Sequence, residues 1–353
     1  MDRCSVVLPR PGDGWYAPPE SANTAGFPWG ELTAAGFQDM KAIGHSLIAA
    51  EHGVRSSMSD VQLRAVNRGC CIASAQALVL GAREAIDQSG ASGPSSGHRP
   101  SEILLQQSED LLPQIQAGTP DYPSLTGQSQ AHFAEMEELM QQQTLEMSEA
   151  LASSKLKTDY LKMLQRGRDE TSSSTYDWDS ICEALQCLEA ECLIADPAAA
   201  EKLAALRRFN FLRWAAPIHT GGPEAAVRVA GPLLHELFRA CDAAWESRGA
   251  VPPAPGVTQV PLPLQLYVSQ AETLVVLLAA LGFAGASKTD PRWLKLMWPS
   301  FGASLQLELV EADGGTPFLR FLEDGEVIVP GLGRDIVPYD LVRERFAPFS
   351  EGL

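Results

Sequence analysis

The two ends of the chain alternate strand-like and helix-like runs, whereas the stretch from about residue 108 to 250 keeps helical spacing nearly throughout and has few β-branched clusters. Near the N-terminus, Ser5 to Leu8 reads as a short strand, Leu32 to Ala50 as a helix, Val61 to Val66 as a strand and Cys71 to Ile86 as a helix with apolar residues on nearly every side. After the boundary Gly249-Ala250-Val251-Pro252-Pro253-Ala254-Pro255-Gly256, β character returns. Leu264 to Val268 reads as a strand, Gln270 to Leu281 as a helix, and Ser304 to Val310 with Pro317 to Leu322 as a hairpin around Asp313-Gly314-Gly315. Alternation of this kind points to an α/β layer around a buried sheet. The expected organisation is therefore an α/β domain assembled from residues 1–107 plus 251–353, carrying residues 108–250 as an inserted all-helical cap domain.

Charge and cysteine usage narrow the function classes. With 27 Lys and Arg against 44 Asp and Glu, the formal charge is −17, the wrong sign for a nucleic-acid partner, whose phosphates are bound by clustered cations that release counterions. No uninterrupted apolar run reaches the ~18–20 residues of a membrane-spanning helix; Leu274 to Ala284 comes nearest. The N-terminus reads as strand and prolines rather than as a secretory leader, so a cytoplasmic protein is expected, with the mitochondrial matrix as the alternative and secretion excluded. Seven cysteines, an odd number, fit free thiols in a reducing compartment. Cys182, Cys187 and Cys192 follow one another by five on helical spacing, so successive thiols point ~140° apart and do not form a zinc site. No metal and no cofactor are expected.

Further features divide between packing and chemistry. Phe133, Met136, Met140, Met147 and Leu151 form a stripe at helical spacing, followed by Leu161, Met163 and Leu164, which reads as core rather than as a partner-binding face. The stretch from Gln88 to Pro100 is a surface loop by composition. Cys70-Cys71 reads as a buried helix start, against a reactive thiol activated by Arg68 or Arg10. Ser269-Gln270-Ala271-Glu272 has the Ser-x-x-Glu spelling of a capping box, in which the serine oxygen and the glutamate carboxylate satisfy each other's backbone amides. The alternative role for Glu272 is that of a surrogate catalytic acid.

Several stretches together resemble the histidine acid phosphatases, the family of phytases and lysophosphatidic acid phosphatases. Val6-Val7-Leu8-Pro9-Arg10-Pro11-Gly12-Asp13-Gly14 stands where that family has a strand ending in Arg-His-Gly-Asp-Arg. Gly30-Glu31-Leu32-Thr33-Ala34-Ala35-Gly36 is similar to its Gly-x-Leu-Thr-x-x-Gly segment, and Arg64-Ala65-Val66-Asn67-Arg68-Gly69-Cys70-Cys71 to its Arg-Ser-Thr-Asp-x-x-Arg-Thr run. Leu266-Tyr267-Val268-Ser269-Gln270-Ala271-Glu272-Thr273-Leu274 parallels Leu-Tyr-Ser-x-His-Asp-Thr-Thr-Leu. In the middle region Ala184-Leu185-Gln186-Cys187 resembles a helix of the lysophosphatidic type, and the hairpin, Val329-Pro330-Gly331 and Arg343 to Phe346 resemble the family's C-terminal tail. The resemblance implies a histidine-phosphatase-like α/β sheet domain.

It also implies that the catalytic set is degenerate. In the family a histidine attacks phosphorus, three arginines clamp the phosphoryl oxygens, and an Asp after a second His protonates the leaving group. Here Pro11 stands for the nucleophile, Gly14 and Cys70 for two of the arginines, Gln270 for the second histidine and Ala271 for the acid, while Arg10 alone is retained. Arg68 replaces the missing arginine only if the register slips by two. Deleting one member of a set that acts as a unit already lowers rates by ~10⁴ to 10⁶. None of the six histidines (His45, His52, His98, His132, His219, His235) lies at a strand end feeding such a site. The expected function is thus a catalytically inactive phosphatase-like protein acting as a structural or interaction subunit of a multi-subunit complex. The alternatives are a pseudoenzyme that binds a phosphorylated metabolite or lipid weakly through Arg10 and helix-end amides, and an active enzyme with a relocated site.

Overall fold

The computed structural model describes residues 5–7, 32–50, 61–66, 68–88, 102–106, 128–151, most of 157–164, 178–190, 192–194, 198–247, 264–282, 298–312, 315–328 and 336–346. Two sheets organise it. The first has the order β1-β3-β2-β4, with β1 at Ser5–Val7, β2 at Val61–Val66, β3 at Glu102–Gln106 and β4 at Leu264–Val268. Strand β2 is parallel to both β3 and β4, and β1 lies antiparallel to β3 at the edge. Strand β3 is an addition to the sequence expectation: its apolar core, Ile103-Leu104-Leu105, is too short to carry a period.

Strand alternation sorts the faces of this sheet. Leu63 and Ala65 of β2, with Leu266 and Val268 of β4, pack toward Ala75, Leu78 and Val79 of helix α2 (Gly69–Gln88) and Met40, Ile43 and Leu47 of helix α1 (Ala34–Ala50). Arg64 and Tyr267, paired across the β2–β4 register, face the other way, the guanidinium carbon lying 5.7 Å from the tyrosine ring centroid. Thr33 caps α1, its Oγ1 accepting the Gly36 amide at 3.1 Å. Helices α1 and α2 then meet backbone to backbone. A Cβ on Gly44 would lie 2.1 Å from the Leu78 carbonyl oxygen, and one on Gly81 1.8 Å from that of Lys41.

Helix α2 also qualifies a sequence expectation. It is long and apolar enough to cross a bilayer, with 20 residues at a mean hydropathy of 1.2, yet 56% of that window is buried inside the protein, which is how a core helix passes the same test.

The middle region contributes α3 (Gln128–Met147), a 3₁₀ turn at Ser148–Ala150, α4 (Trp178–Ala190) and the 50-residue α5 (Ala198–Ser247). Met140 and Met147 are buried with Trp178, Ile181, Leu185 and Phe209, and Phe133, Met136 and Leu151 pack against them, so the stripe is core to Leu151; of its continuation Leu164 is buried, Leu161 is exposed and Met163 lies outside the described residues. Trp178 stacks edge-on to Phe209 at 5.1 Å and donates its Nε1–H to Glu137.

Helix α5 belongs to two cores. Ala199 to Phe209 join the α3–α4 cluster, whereas Phe211 to Phe238 pack with helix α6 (Ala271–Ala280) and the second sheet. That sheet has β6 (Thr316–Glu323) at its centre, paired on one side with β5 (Leu305–Ala312) and on the other with β7 (Glu326–Ile328) and β8 (Ile336–Pro338). The expected hairpin is therefore present, with Leu309 opposite Leu319. Helix α7 (Tyr339–Phe346) closes the chain by driving the Tyr339 hydroxyl onto the Phe238 carbonyl and Asp242, each at 2.9 Å.

The α1–α2 crossing leaves no room for a side chain. Gly81→Ala is expected to lose ~1–3 kcal/mol of stability through overpacking. Gly36→Ala, where the new methyl group meets only the flexible end of Leu32 and the Thr33 hydroxyl, should leave stability unchanged or slightly raised. Denaturant titration of both variants checks the difference.

Candidate functional site

Strands β2 and β4 lie side by side and parallel, Ala65 opposite Val268, and each feeds a helix after two intervening residues. The N-termini of α2 and α6 therefore open at the same edge of the sheet. Unpaired amides and the aligned peptide dipoles make such an edge attractive to anions.

Of the residues singled out in the sequence, three come together here. Cys70 is partly buried in the first turn of α2, Gln270 is the N-cap of α6 and Ala271 its first residue. Arg10, Pro11 and Gly14 lie outside the described residues. Arg68, at the entry to α2, is exposed, and its carbonyl accepts the Ile72 amide at 3.0 Å. Histidines 45 and 235 stand on α1 and α5, and His45 Nε2 shares a hydrogen bond of 3.2 Å with Gln88. None of the described cysteines is in a disulfide.

The capping box expected at Ser269 does not form. The chain is still extended at Gln270 (φ −87°, ψ 166°), so the helix begins one residue later than the box requires and Glu272 falls at its second position rather than its third. The Gln270 side chain makes no capping bond, and the Ser269 hydroxyl lies 3.5 Å from the Gln270 carbonyl oxygen. Glu272 still places an acidic group in the first turn, and its Oε2 is sealed from solvent.

The groups that face these helix ends are carboxylic acids and thiols. Glu183, on α4, is partly buried and is acted on by Glu272, Cys70 and Asp179. Burial first, then those three neighbours, raise its carboxyl to about 8, against which Arg68 works. Cys71 is buried and holds its proton, raised first by the hydrogen bond to Cys70 and then by burial. That hydrogen bond has the opposite effect on Cys70, whose thiol is lowered to about 6, with the Arg68 charge adding to the shift. Arg68 is thus the cation acting on Cys70, Cys71 and Glu183 alike.

Neighbouring polar contacts hold the surroundings in place. Trp214 donates its Nε1–H to Asp179 at 2.8 Å, and Arg213 reaches both Asp179 and Asn210. Behind the sheet, Arg64 is ion-paired with Glu236 of α5, which also accepts the Tyr267 hydroxyl at 3.3 Å. Arg64 is therefore committed to packing.

Glu183 is the member of this cluster that the sequence pattern did not yield. Its signal was its position, between the buried Cys182 and the buried Ala184-Leu185-Gln186, where a carboxylate is out of place unless something faces it.

Chemically, the described part of the site offers helix-end amides, one arginine, two thiols and two carboxyls. It offers no imidazole. Among the described residues no three His, Cys, Asp or Glu side chains are grouped to hold a metal ion.

Residues 15–323 match the sequence model of the histidine phosphatase superfamily (branch 2). No curated protein matches the chain. Similar solved structures include the apo form of a phytase from Hafnia alvei, at 14% identity over 97% of this chain and 90% of that one, with a TM-score of 0.53. The same phytase with tartrate covers 98% of this chain and 91% of its own at 13% identity and a TM-score of 0.54. With myo-inositol hexakis sulphate it covers 93% and 89% at 12% identity and a TM-score of 0.54. At such identities the likeness is one of fold.

Because the α6 start lacks a side-chain cap, Ser269→Ala should change stability by less than ~0.5 kcal/mol, whereas loss of a working cap would remove ~1 kcal/mol. Gln270→Ser should instead raise stability by ~0.5–2 kcal/mol. Thermal and chemical unfolding of the two variants tests the assignment.

Proposed function

The chain belongs to branch 2 of the histidine phosphatase superfamily, and on that premise we propose that it is a catalytically silent member, retained as a structural or interaction subunit of a larger assembly. The observation that carries this is the chemistry at the α2 and α6 helix starts. Cys70, Gln270 and Ala271 occupy the positions where the resemblance puts an arginine, a histidine and an aspartic acid. Ala271 has no proton to give and Gln270 no cationic form. Glu272 adds an acidic group where a transferring phosphoryl group needs positive charge, and the raised carboxyl of Glu183 supplies no cation. Pro11, in the nucleophile's place, has no side-chain lone pair to attack phosphorus.

On this reading residues 108–250 act as the helical cap over the sheet, and the protein is cytoplasmic, with the mitochondrial matrix as the alternative. It works through protein partners and needs neither a metal nor an organic cofactor. The phytase activity named for its structural neighbours does not carry over, since a chain of formal charge −17 with one retained clamp arginine is poorly matched to a polyphosphate.

One observation favours a second reading, a pseudoenzyme that binds a phosphorylated metabolite or lipid. The start of α6 has no side-chain cap from Gln270 and opens beside the start of α2, so the two helix dipoles would together attract a single phosphate monoester. Ligand-dependent thermal shifts separate the two, because a ligand at 100 times its Kd stabilises by ~2.7 kcal/mol.

Purified full-length protein is expected to show no phosphomonoesterase activity against nitrophenyl phosphate, lysophosphatidate or phytate at pH 4 to 8, and to elute in a large assembly when native extracts are sized. Turnover that survives purification and disappears in Arg10→Ala would overturn catalytic silence.

A further inference from the structure

Helix α3 has two faces of different chemistry. Its inward face carries Met140 and Met147, buried with Trp178 and Phe209. At about 3.6 residues per turn, Glu135, Glu138, Leu139, Gln142, Leu145 and Glu146 fall within an arc of ~120° on the opposite side, and all six are exposed. Leu139 and Leu145 are 51% and 48% exposed, more than any other leucine among the described residues.

The outward face of a surface helix is normally polar and its charges are compensated along the helix. This face departs from both expectations. Helix α3 contains no lysine or arginine, so none of its glutamates has such a cation one turn away. Glu137 accepts from Trp178, and Glu146 is engaged by Lys202 and Gln142. Glu135 and Glu138 are neighbours three residues apart, where like charges oppose each other, and among the described residues no side-chain hydrogen bond or ion pair engages either.

The spacing orders these groups. Leu139, Gln142 and Leu145 form one ridge of the i, i+3 kind, and Glu135 and Glu138 lie on the ridge beside it. A ridge of this kind seats in the groove of a second helix that crosses obliquely. Along it the two leucine Cα atoms are ~10 Å apart, close to the ~10.5 Å between residues seven apart on such a crossing helix.

We propose that this face docks a cationic amphipathic helix of a partner protein, whose apolar residues seven apart cover Leu139 and Leu145 while lysine or arginine beside them meets Glu135 and Glu138. The formal charge of −17 steers basic segments toward the chain as a whole, and burial of the two leucines is what fixes them here. This face gives the proposed interaction role a surface and rests on that role.

Fluorescence anisotropy of the full-length protein with a labelled synthetic helix of repeated Leu-Lys-Lys-Leu-Leu-Lys-Leu heptads reads the docking, at ~0.15 M salt, where exposed charges more than ~8 Å apart are largely screened. Leu139→Ser with Leu145→Ser is expected to weaken binding at least ~10-fold, since roughly half of each leucine would no longer leave water. Both side chains are exposed, so the variant retains its core. Glu135→Gln with Glu138→Gln should weaken binding at least ~3-fold. Glu326→Gln with Glu344→Gln, which removes two exposed acids elsewhere, should change it less than ~2-fold. No saturable binding, an unaltered affinity in the leucine variant, or equal losses in the two acidic variants overturns this docking face and leaves the interaction role standing. An unmodified chain that sizes as a monomer in native extracts overturns the interaction role and the docking with it.

Discussion

Parallel pairing of β2 with β4 fixes the electrostatic problem that the rest of this structure has to solve. Because Arg64 is opposite Tyr267 and Ala65 opposite Val268, two helices open side by side at one sheet edge, and their aligned peptide dipoles create a local positive field. In a phosphoryl-transfer site, that field and a set of guanidinium groups together hold the transferring group. Here carboxyl groups and thiols face the field. Glu272 sits within the first turn of α6, Glu183 approaches from α4, and Cys70 is drawn toward its thiolate by Cys71 and Arg68. Among the described residues, Glu272 sets an acidic group of the chain's own against that field.

That balance needs α4 to be positioned, and α5 does the positioning. Its first part packs with α3 and α4, its later part with α6 and the second sheet, so one helix links both cores. Polar contacts hold it along its length: Arg207 donates to the Trp298 carbonyl at 2.9 and 3.2 Å, Arg213 and Trp214 reach Asp179, Glu236 pairs with Arg64, and Asp242 accepts from Tyr339. A half-buried ion pair such as Arg64–Glu236 contributes modestly to net stability, and removing either partner would leave the other charge half-buried without it.

Period and turn chemistry made β2, β4, α1, α2 and the β5–β6 hairpin legible in the sequence, because each carries an apolar run long enough to show its spacing. Strand β3 was not legible: three apolar residues carry no period, and its existence depends on β2 lying beside it. The helix start at Ala271 was misplaced by one residue for a related reason. The Ser-x-x-Glu spelling favours a box at Ser269, but the backbone stays extended through Gln270 and the helix starts at Ala271. The methionine stripe was correctly read as core, since Met140 and Met147 recur on the helix face that Trp178 and Phe209 cover. Cys70, Gln270 and Ala271 were found through motif order, whereas Glu183 could be assigned only once α4 was placed against α2 and α6.

The account rests on one electrostatic claim: the edge where this fold would gather a phosphate is already satisfied by the protein's own acidic groups. Calorimetric titration of the full-length protein with inorganic phosphate at low ionic strength, where charge interactions are least screened, measures this directly. The account predicts no saturable heat up to about millimolar phosphate, the weak limit of ~−4 kcal/mol. Saturable one-to-one binding in the micromolar range would contradict it.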